Sequence, residues 1–163
     1  MSELNNMINY EKLLNEVKPL IKEEMNYTSI MQVPVIKKVV LSIGAGKFFK
    51  DKTKMLDLQK ALSYIACQNS CLTKAKKSIA SFEVREGMDT GVMVTLRKDK
   101  MNTFLDRLKY MYLPRLREFR GFNKNSFNRN SFSFGIKDVF VCCDEIKEKM
   151  NRHDLHFGMN VTF

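Results

Sequence analysis

The stretch from residue 79 to residue 97 reads I-A-S-F-E-V-R-E-G-M-D-T-G-V-M-V-T-L-R. Its alternation predicts two strands, Ile79–Arg85 and Thr90–Arg97, with E-G-M-D as the turn between them. Strands joined by so short a turn pair antiparallel. This hairpin is the element around which the rest of the fold is arranged.

Helices and further strands are predicted on either side of the hairpin. Apolar residues at helical spacing predict a helix over residues 4–24, with a kink or an early end at Pro19. Residues 35–43, 140–143 and 157–163 are predicted strands, and the first of them ends at G-A-G. The mixture indicates one α+β domain over residues 1–163, a mainly antiparallel sheet covered on one face by helices. Two more helices are marked by Met55, Leu58, Leu62 and Ile65, and by Met101, Phe104, Leu105, Leu108 and Tyr112 before Pro114.

The positive charge is concentrated in the middle of the chain. The formal net charge is +10, and residues 73–137 contain 15 basic and 6 acidic side chains. A local cationic field attracts polyanions, and without a lipid motif or a basic amphipathic helix the pattern favours nucleic acid over membrane. No apolar run approaches the roughly 20 residues of a membrane helix.

Three lysines, Lys74, Lys76 and Lys77, lie immediately before the predicted hairpin. Their mutual repulsion is unfavourable unless an anion lies against them. One interpretation is a solvated charged loop. The other is that these ammonium groups, with Ser78 and nearby backbone N–H groups, bind phosphates.

A second basic segment, L-P-R-L-R-E-F-R-G-F, covers residues 113–122. Pro114 places Arg115, Arg117 and Arg120 on irregular backbone, where guanidinium groups suit phosphates and base edges. The alternative is a surface network with Glu118. In the following Asn-rich stretch, phenylalanines could stack on bases, but anchoring of a long loop to the core is favoured for Phe119, Phe122 and Phe127.

No pattern of catalytic residues, metal ligands or cofactor-binding residues emerges. The glycines of S-I-G-A-G-K-F-F, residues 42–49, match neither the dinucleotide nor the P-loop spacing, because Phe48 and Phe49 stand at required positions. Four cysteines without a chelating spacing predict free thiols. We therefore expect no enzyme, no cofactor, no metal and no small-molecule substrate.

Four longer stretches follow one another in a characteristic order. They are N-Y-T-S-I-M-Q-V-P at 26–34, L-T-K-A-K-K-S-I-A-S-F at 72–82, R-E-G-M-D-T-G-V-M-V-T-L-R at 85–97 and L-P-R-L-R-E-F-R-G-F at 113–122. Together they resemble ribosomal protein five of the large subunit, in its bacterial and organellar type. The resemblance runs from about residue 10 to residue 163 and so covers nearly the whole chain.

The resemblance implies an α+β domain in the central protuberance that binds 5S rRNA and large-subunit rRNA through its sheet face. The family's 5S-contacting Gln and Thr fall on Gln68 and Thr95. Ser42 stands where the family has Asn, a longer side chain with an amide. We assign the same rRNA-binding role to Arg97, Arg115, Arg117 and Arg120.

The resemblance also implies contacts on the subunit-interface side. The segment from Lys74 to about Gly87 corresponds to a loop that touches the elbow of the P-site tRNA. The implied bridge to a protein of the small-subunit head involves Phe134, Gly135 and Lys137, and neighbouring ribosomal proteins are further partners. The residues expected to face tRNA are Lys74, Lys76, Lys77, Ser78, Phe82 and Arg85.

Two departures from the family pattern stand out, and one of them is the Asn-rich loop at Asn123–Asn130, which replaces a more glycine-rich loop. The chain stops at Phe163, so we expect the helix that usually follows the last strand to be absent. The N-terminal residues are too acidic for an import presequence, and the chain is rich in Lys, Asn, Phe, Ile and Met. We predict a mitochondrially encoded ribosomal protein, with plastid and bacterial origins as alternatives. The alternative function is that of a free RNA chaperone or regulator.

Overall fold

A computed structural model describes residues 10–46, 48, 51–116, 119–128, 130–139 and 156–163. Within these residues, the chain forms three helices and one six-stranded sheet. The helices are α1 (Tyr10–Glu24), α2 (Lys52–Ala66) and α3 (Lys98–Arg107), which continues through a π-helical turn (Leu108–Tyr112) and an α-helical turn (Leu113–Arg115). The strands are β1 (Val39–Gly44), β2 (Cys71–Lys74), β3 (Asp89–Leu96), β4 (Phe127–Asn128), β5 (Ser131–Ile136) and β6 (Met159–Thr162).

The sheet has the order β2–β3–β1–β6–β5–β4, and all neighbouring strands are antiparallel. In the centre, Leu41 lies opposite both Val94 and Val161. The strand ends form two opposite sides of the sheet. We call the side at which β1 ends the upper edge and the opposite side the lower edge. Because the strands alternate in direction, β2 and β5 also end at the upper edge, whereas β3 and β6 end at the lower edge. The sheet and its helices confirm the predicted α+β class.

One face of the sheet forms the core with the helices. The period of two along each strand places alternate apolar side chains on this face, where they meet the buried residues of α2 and α3. The inward-facing residues, all buried, are Val39, Leu41, Ile43, Val92, Val94, Leu96, Ile136, Met159 and Val161.

The predicted strand Ile79–Arg85 is wrong. Only Ile79 and Val84 pair there, as an isolated bridge that closes a 3-10 turn at Ala80–Phe82. The antiparallel partner of β3 is instead β2, whose Leu72 lies opposite Val92. The hairpin is therefore formed by β2 and β3, and residues 75–88 are its connection.

Two prolines allow more helix than the sequence suggested. Helix α1 continues five residues beyond Pro19. Proline has no N–H group, so the carbonyl of Asn15 lacks its helical hydrogen bond. Asn15 is exposed, and water can bind this carbonyl instead. Helix α3 continues past Pro114, and its backbone widens into a π-helical turn just before that proline. No helix in the described residues is long and apolar enough to span a membrane. The predicted strand 140–143 and the first residues of the predicted helix 4–24 lie outside the described residues.

The phenylalanines of the Asn-rich stretch form an aromatic cluster beside β5. The ring of Phe122 lies 5.0 Å from that of Phe132 and 4.9 Å from that of Phe134. Phe127 stacks on Phe132 at 4.3 Å, and Phe119 packs on Phe122 at 5.0 Å. These contacts tie the long connection to β5, while Phe119, Phe122 and Phe127 are each exposed and lie outside the buried core. The contacts also involve a strand, β5, that the sequence patterns had indicated as loop.

Gly91 is required by close packing in the middle of the sheet. A Cβ atom there would lie 2.8 Å from the carbonyl oxygen of Ile43 and 2.9 Å from Oγ1 of Thr73. We expect Gly91→Ala to lower the free energy of unfolding by about 1–3 kcal/mol, because backbone must move. Gly44 lies opposite Gly91, and a Cβ atom on Gly44 would have no neighbour within 4 Å, so Gly44→Ala is the matched control in urea denaturation. Equal losses in the two variants would contradict this account.

Candidate nucleic-acid interface

The second face of the sheet lies opposite the face that forms the core and is lined mainly by small polar side chains. Its members alternate with the core residues along the strands, and each is partly or fully exposed. Hydroxyl and amide groups of this kind can bond to sugar, phosphate and base edges. We call it the open face; its central residues are Cys71, Thr73, Met93, Thr95, Val40, Ser42, Asn160, Thr162 and Ser133.

Gln68 lies at the lower edge of the open face, in contact with Thr95. The side-chain Nε2 of Gln68 donates a hydrogen bond to the backbone oxygen of Thr95 at 3.3 Å. Both residues are half-buried. The structure thus brings together the two residues that the resemblance assigned to 5S rRNA. Ser42, also half-buried, lies further along the face, opposite Met93.

A polar network holds the loop that carries Gln68. Oγ of the buried Ser70 donates to the backbone oxygen of Gln59 at 2.8 Å, and Nε2 of Gln59 donates to the backbone oxygen of Ser70 at 2.8 Å. Oγ of Ser63 accepts from the backbone N–H of Ser70 at 3.1 Å. These bonds fix the chain between α2 and β2 and so position Gln68. No sequence pattern revealed this network, because its members are spread over a helix and the loop that follows it.

Basic side chains lie at both ends of the strands that form the open face. Lys74 ends β2 and Lys137 follows β5 at the upper edge, whereas Arg97 follows β3 at the lower edge. All three residues are exposed. The open face thus has an uncharged polar centre and cations at its margins. Such a surface can contact bases and sugars at its centre and phosphates at its margins.

The β2–β3 connection is held by its own hydrogen bonds. The N–H of Ala75 donates to the oxygen of Met88 at 2.8 Å, and the N–H of Gly87 donates to the oxygen of Ala75 at 3.0 Å. Oγ of Ser78 accepts from the N–H of Glu86 at 2.9 Å. Ser78 therefore supports the backbone of the connection, and the phosphate contact expected from the sequence stays a prediction.

The same connection exposes the residues expected to face tRNA. Lys76, Lys77 and Arg85 are exposed, and the ring of Phe82 at the tip is 68% exposed. Two carboxylates, Glu83 and Glu86, lie among these cations and are exposed as well. An exposed aromatic ring beside several cations is a combination that binds unpaired nucleotides through stacking and phosphate contacts.

The remaining predicted residues are spread over two regions. Arg115 at the end of the α-helical turn and Arg120 near the aromatic cluster are exposed, whereas Arg117 and Glu118 lie outside the described residues. Phe134 packs on Phe163 within the aromatic cluster, on the core side of β5. Of the predicted bridging set, Gly135 and Lys137 are exposed and Phe134 is half-buried.

Four polar residues of the open face, Thr73, Ser133, Asn160 and Thr162, were not identified from the sequence. Ser133 and Thr162 face each other across β5 and β6, with 3.0 Å between their hydroxyl oxygens, and Asn160 lies opposite Gly135. The alternation S-F-S-F-G-I over residues 131–136 was the available signal for β5.

Comparisons with known proteins agree with this geometry. A family model described as "Ribosomal protein L5" matches residues 29–85, and a model of the C-terminus of the same ribosomal family matches residues 89–163. Large ribosomal subunit protein uL5 of Campylobacter jejuni is 40% identical over 93% of this chain and 83% of its own length. The uL5 proteins of Nitratidesulfovibrio vulgaris and a Roseiflexus species are 44% and 49% identical, over 96% and 80% of this chain and 87% and 73% of their own lengths. The chain therefore belongs to the ribosomal protein L5 family, and it is a structural, non-enzymatic constituent of the large ribosomal subunit.

Proposed function

We propose that the open face binds 5S rRNA together with large-subunit rRNA. The observation that carries this proposal is the polar sheet surface with Gln68 and Thr95 in contact at its lower edge and Arg97 directly beyond β3. Ser42 lies on the same face, where its hydroxyl offers one donor and a short reach. Arg115, Arg117 and Arg120 are proposed as a separate contact with rRNA phosphates, and Arg115 and Arg120 are exposed.

The β2–β3 connection is assigned to the P-site tRNA. Lys74, Lys76, Lys77 and Arg85 supply the positive charge, and Phe82 supplies an exposed ring. Support comes from topology, because the connection leaves the sheet at the upper edge, opposite the edge that holds Gln68. One end of the molecule can then contact tRNA while the other end and the open face remain on rRNA.

The bridge to the small-subunit head is assigned to Gly135 and Lys137. Both lie toward the upper end of β5, at the edge from which the β2–β3 connection also leaves. A single side of the molecule thus carries both surfaces assigned to the subunit interface. Phe134 contributes to this site only by holding β5 against the aromatic cluster.

The ribosome in question is proposed to be mitochondrial. The support is compositional, since a chain rich in Lys, Asn, Phe, Ile and Met is typical of an AT-rich coding genome. The relatives described above are bacterial, which supports the alternative of a bacterial ribosome. Fractionation of cells followed by detection of the protein in mitochondrial large subunits tests this point.

Sequencing of RNA crosslinked to the purified protein within large subunits is the direct test of the interface. We expect crosslinks from the open face to map to 5S rRNA and adjacent large-subunit rRNA, and crosslinks from the β2–β3 connection to appear when tRNA occupies the P site. Crosslinks from the open face to protein alone would overturn the assignment.

Thr95→Val tests the 5S contact on its own. The two side chains have nearly the same shape, so the variant removes a hydroxyl and leaves the strand intact. If that hydroxyl bonds to RNA, we expect 5S rRNA affinity to fall by roughly 1 kcal/mol, about fivefold. Thr53→Val, at an exposed position on α2, is the control in the same filter-binding assay. Unchanged affinity for Thr95→Val would remove Thr95 from the interface.

A further inference from the structure

A pocket of about 160 Å³ lies beside the loop that carries Gln68. Its inner wall is apolar and consists of Ile65, Ala66 and Phe104, each 2% exposed. Cys67 at the end of α2 and Arg107 at the end of α3 also line it. This cavity combines a hydrophobic interior with a charged margin.

The two sides of the pocket continue directly into the proposed rRNA interface. Cys67 ends α2 in a left-handed backbone conformation with φ of 48°, and the next residue is Gln68. Helix α3 begins at Lys98, the residue after Arg97. An RNA strand that leaves the open face and turns around the lower edge between Gln68 and Arg97 can therefore reach the pocket between α2 and α3.

The margin of the pocket carries a guanidinium group that is held in place. Nη1 of Arg107 donates a hydrogen bond to Sγ of Cys67 at 3.3 Å. Lys100, which is exposed, and Asp99 line the pocket about two turns before Arg107. Guanidinium and carboxylate groups are those that read the polar edges of bases.

The lining distinguishes between two parts of a nucleotide. A phosphate would lie against apolar carbon on the inner wall and beside the Asp99 carboxylate, and both are unfavourable for an anion. A base places its ring face on apolar carbon and its polar edge toward Arg107 and Asp99. The Lys100 ammonium group is then available to the backbone phosphate.

We propose that this pocket receives one unstacked base of the rRNA that lies on the open face. Recognition of RNA commonly uses bases that have left their stack and lie against protein side chains. The inference rests on the proposed rRNA contact, and it adds a base-binding site at the lower edge of the sheet. It assigns Arg107 and Lys100 to RNA binding, a role that the sequence patterns did not suggest.

Two exposed thiols allow the pocket and the open face to be tested separately. Cys67 lines the pocket, whereas Cys71 lies on the open face opposite Met93. The purified protein is treated with N-ethylmaleimide, alone and with excess deproteinised large-subunit RNA (5S plus the large rRNA). Tandem mass spectrometry then measures the labelling rate at each cysteine.

We expect the RNA to slow labelling at both cysteines. Protection of Cys71 with Cys67 still reactive would overturn the pocket proposal and leave the open-face interface intact. Protection of neither thiol would overturn the proposed function, and the pocket proposal with it. Protection of Cys67 alone would support RNA at the pocket and contradict binding across the open face.

Two variants separate a base in the pocket from a phosphate at its margin. Thr103 is exposed and lines the pocket, so Thr103→Phe fills the cavity while keeping every charge. We expect it to lower rRNA affinity, and we expect Arg107→Gln to lower it about fivefold to tenfold. Lys109→Gln, on the π-helical turn that lines a different pocket, is the charge-matched control, and thermal unfolding checks that each variant folds. Full affinity in Thr103→Phe would overturn the assignment of a base to this cavity.

Discussion

Replacing Lys74, Lys76 and Lys77 together with glutamine should flatten the salt dependence of tRNA binding by about 2 to 3 units of the slope of log K against log salt. The three residues are exposed: Lys74 ends β2, and Lys76 and Lys77 lie in the β2–β3 connection. This connection is held by its own hydrogen bonds. Each lysine that neutralises a phosphate releases counterions, and the slope counts those released ions. Fluorescence anisotropy with labelled tRNA over a series of KCl concentrations gives the slope directly.

The matched control removes the same charge elsewhere. Lys52, Lys54 and Lys60 all lie on α2, and their triple replacement with glutamine lowers the net charge equally. If the general charge of the protein drives binding, both triple variants lose the same slope. If the β2–β3 connection contacts phosphates, the slope falls only in the variant of Lys74, Lys76 and Lys77. A wild-type slope in the first variant would remove the lysines from the interface.

Leu62→Ala should lower the free energy of unfolding by about 2–5 kcal/mol. Leu62 is 0% exposed on the side of α2 that packs on the sheet. Removing its branched end leaves a cavity between helix and strands, because neighbouring side chains relax only in part. Chemical denaturation monitored by circular dichroism measures the loss.

Leu56 on the same helix provides the control, since it is 49% exposed and outside the core. We expect Leu56→Ala to change stability by less than about 1 kcal/mol. A similar loss in both variants would contradict this account, because alanine is the better helix former at both positions and only packing distinguishes them.

Much of the fold could be predicted because its core follows simple periods. Met55, Leu58, Leu62 and Ile65 recur at helical spacing and form the buried side of α2. The alternation of residues 90–97 likewise identified β3. Where a long helix or strand buries one side, apolar residues recur in the sequence with the period of that element. Both the type of the element and its buried side can then be predicted.

Short strands could not be predicted in the same way. Strand β2 has four residues and β4 has two, too few for a period to stand out. Residues 79–85 alternate as well as any strand, yet none of the described strands lies beside them, so Ile79 and Val84 pair with each other. Pairing depends on partners that are distant in sequence, which a local pattern does not reveal.

The candidate site was predicted unevenly for a related reason. Gln68 and Thr95 were matched through resemblance, and the structure shows that they touch across 27 residues of sequence. The pocket at Cys67 and Arg107 joins residues 40 positions apart, and neither belongs to a motif. Such sites arise from the packing of α2 against α3 and become visible only in three dimensions.

The outermost strands of the sheet, β2 and β4, are short, and this affects the free protein before it is incorporated into the ribosomal subunit. Unpaired amide and carbonyl groups along the rim of a sheet are templates for adding a foreign strand, and a long flat rim promotes fibre-like self-association. On one side of the sheet, β2 has only four residues and ends in a lysine, so this rim offers little for a second chain to extend. On the other side, β4 pairs with only Ser131 and Phe132 of β5, so this protection against self-association is confined to the β2 side.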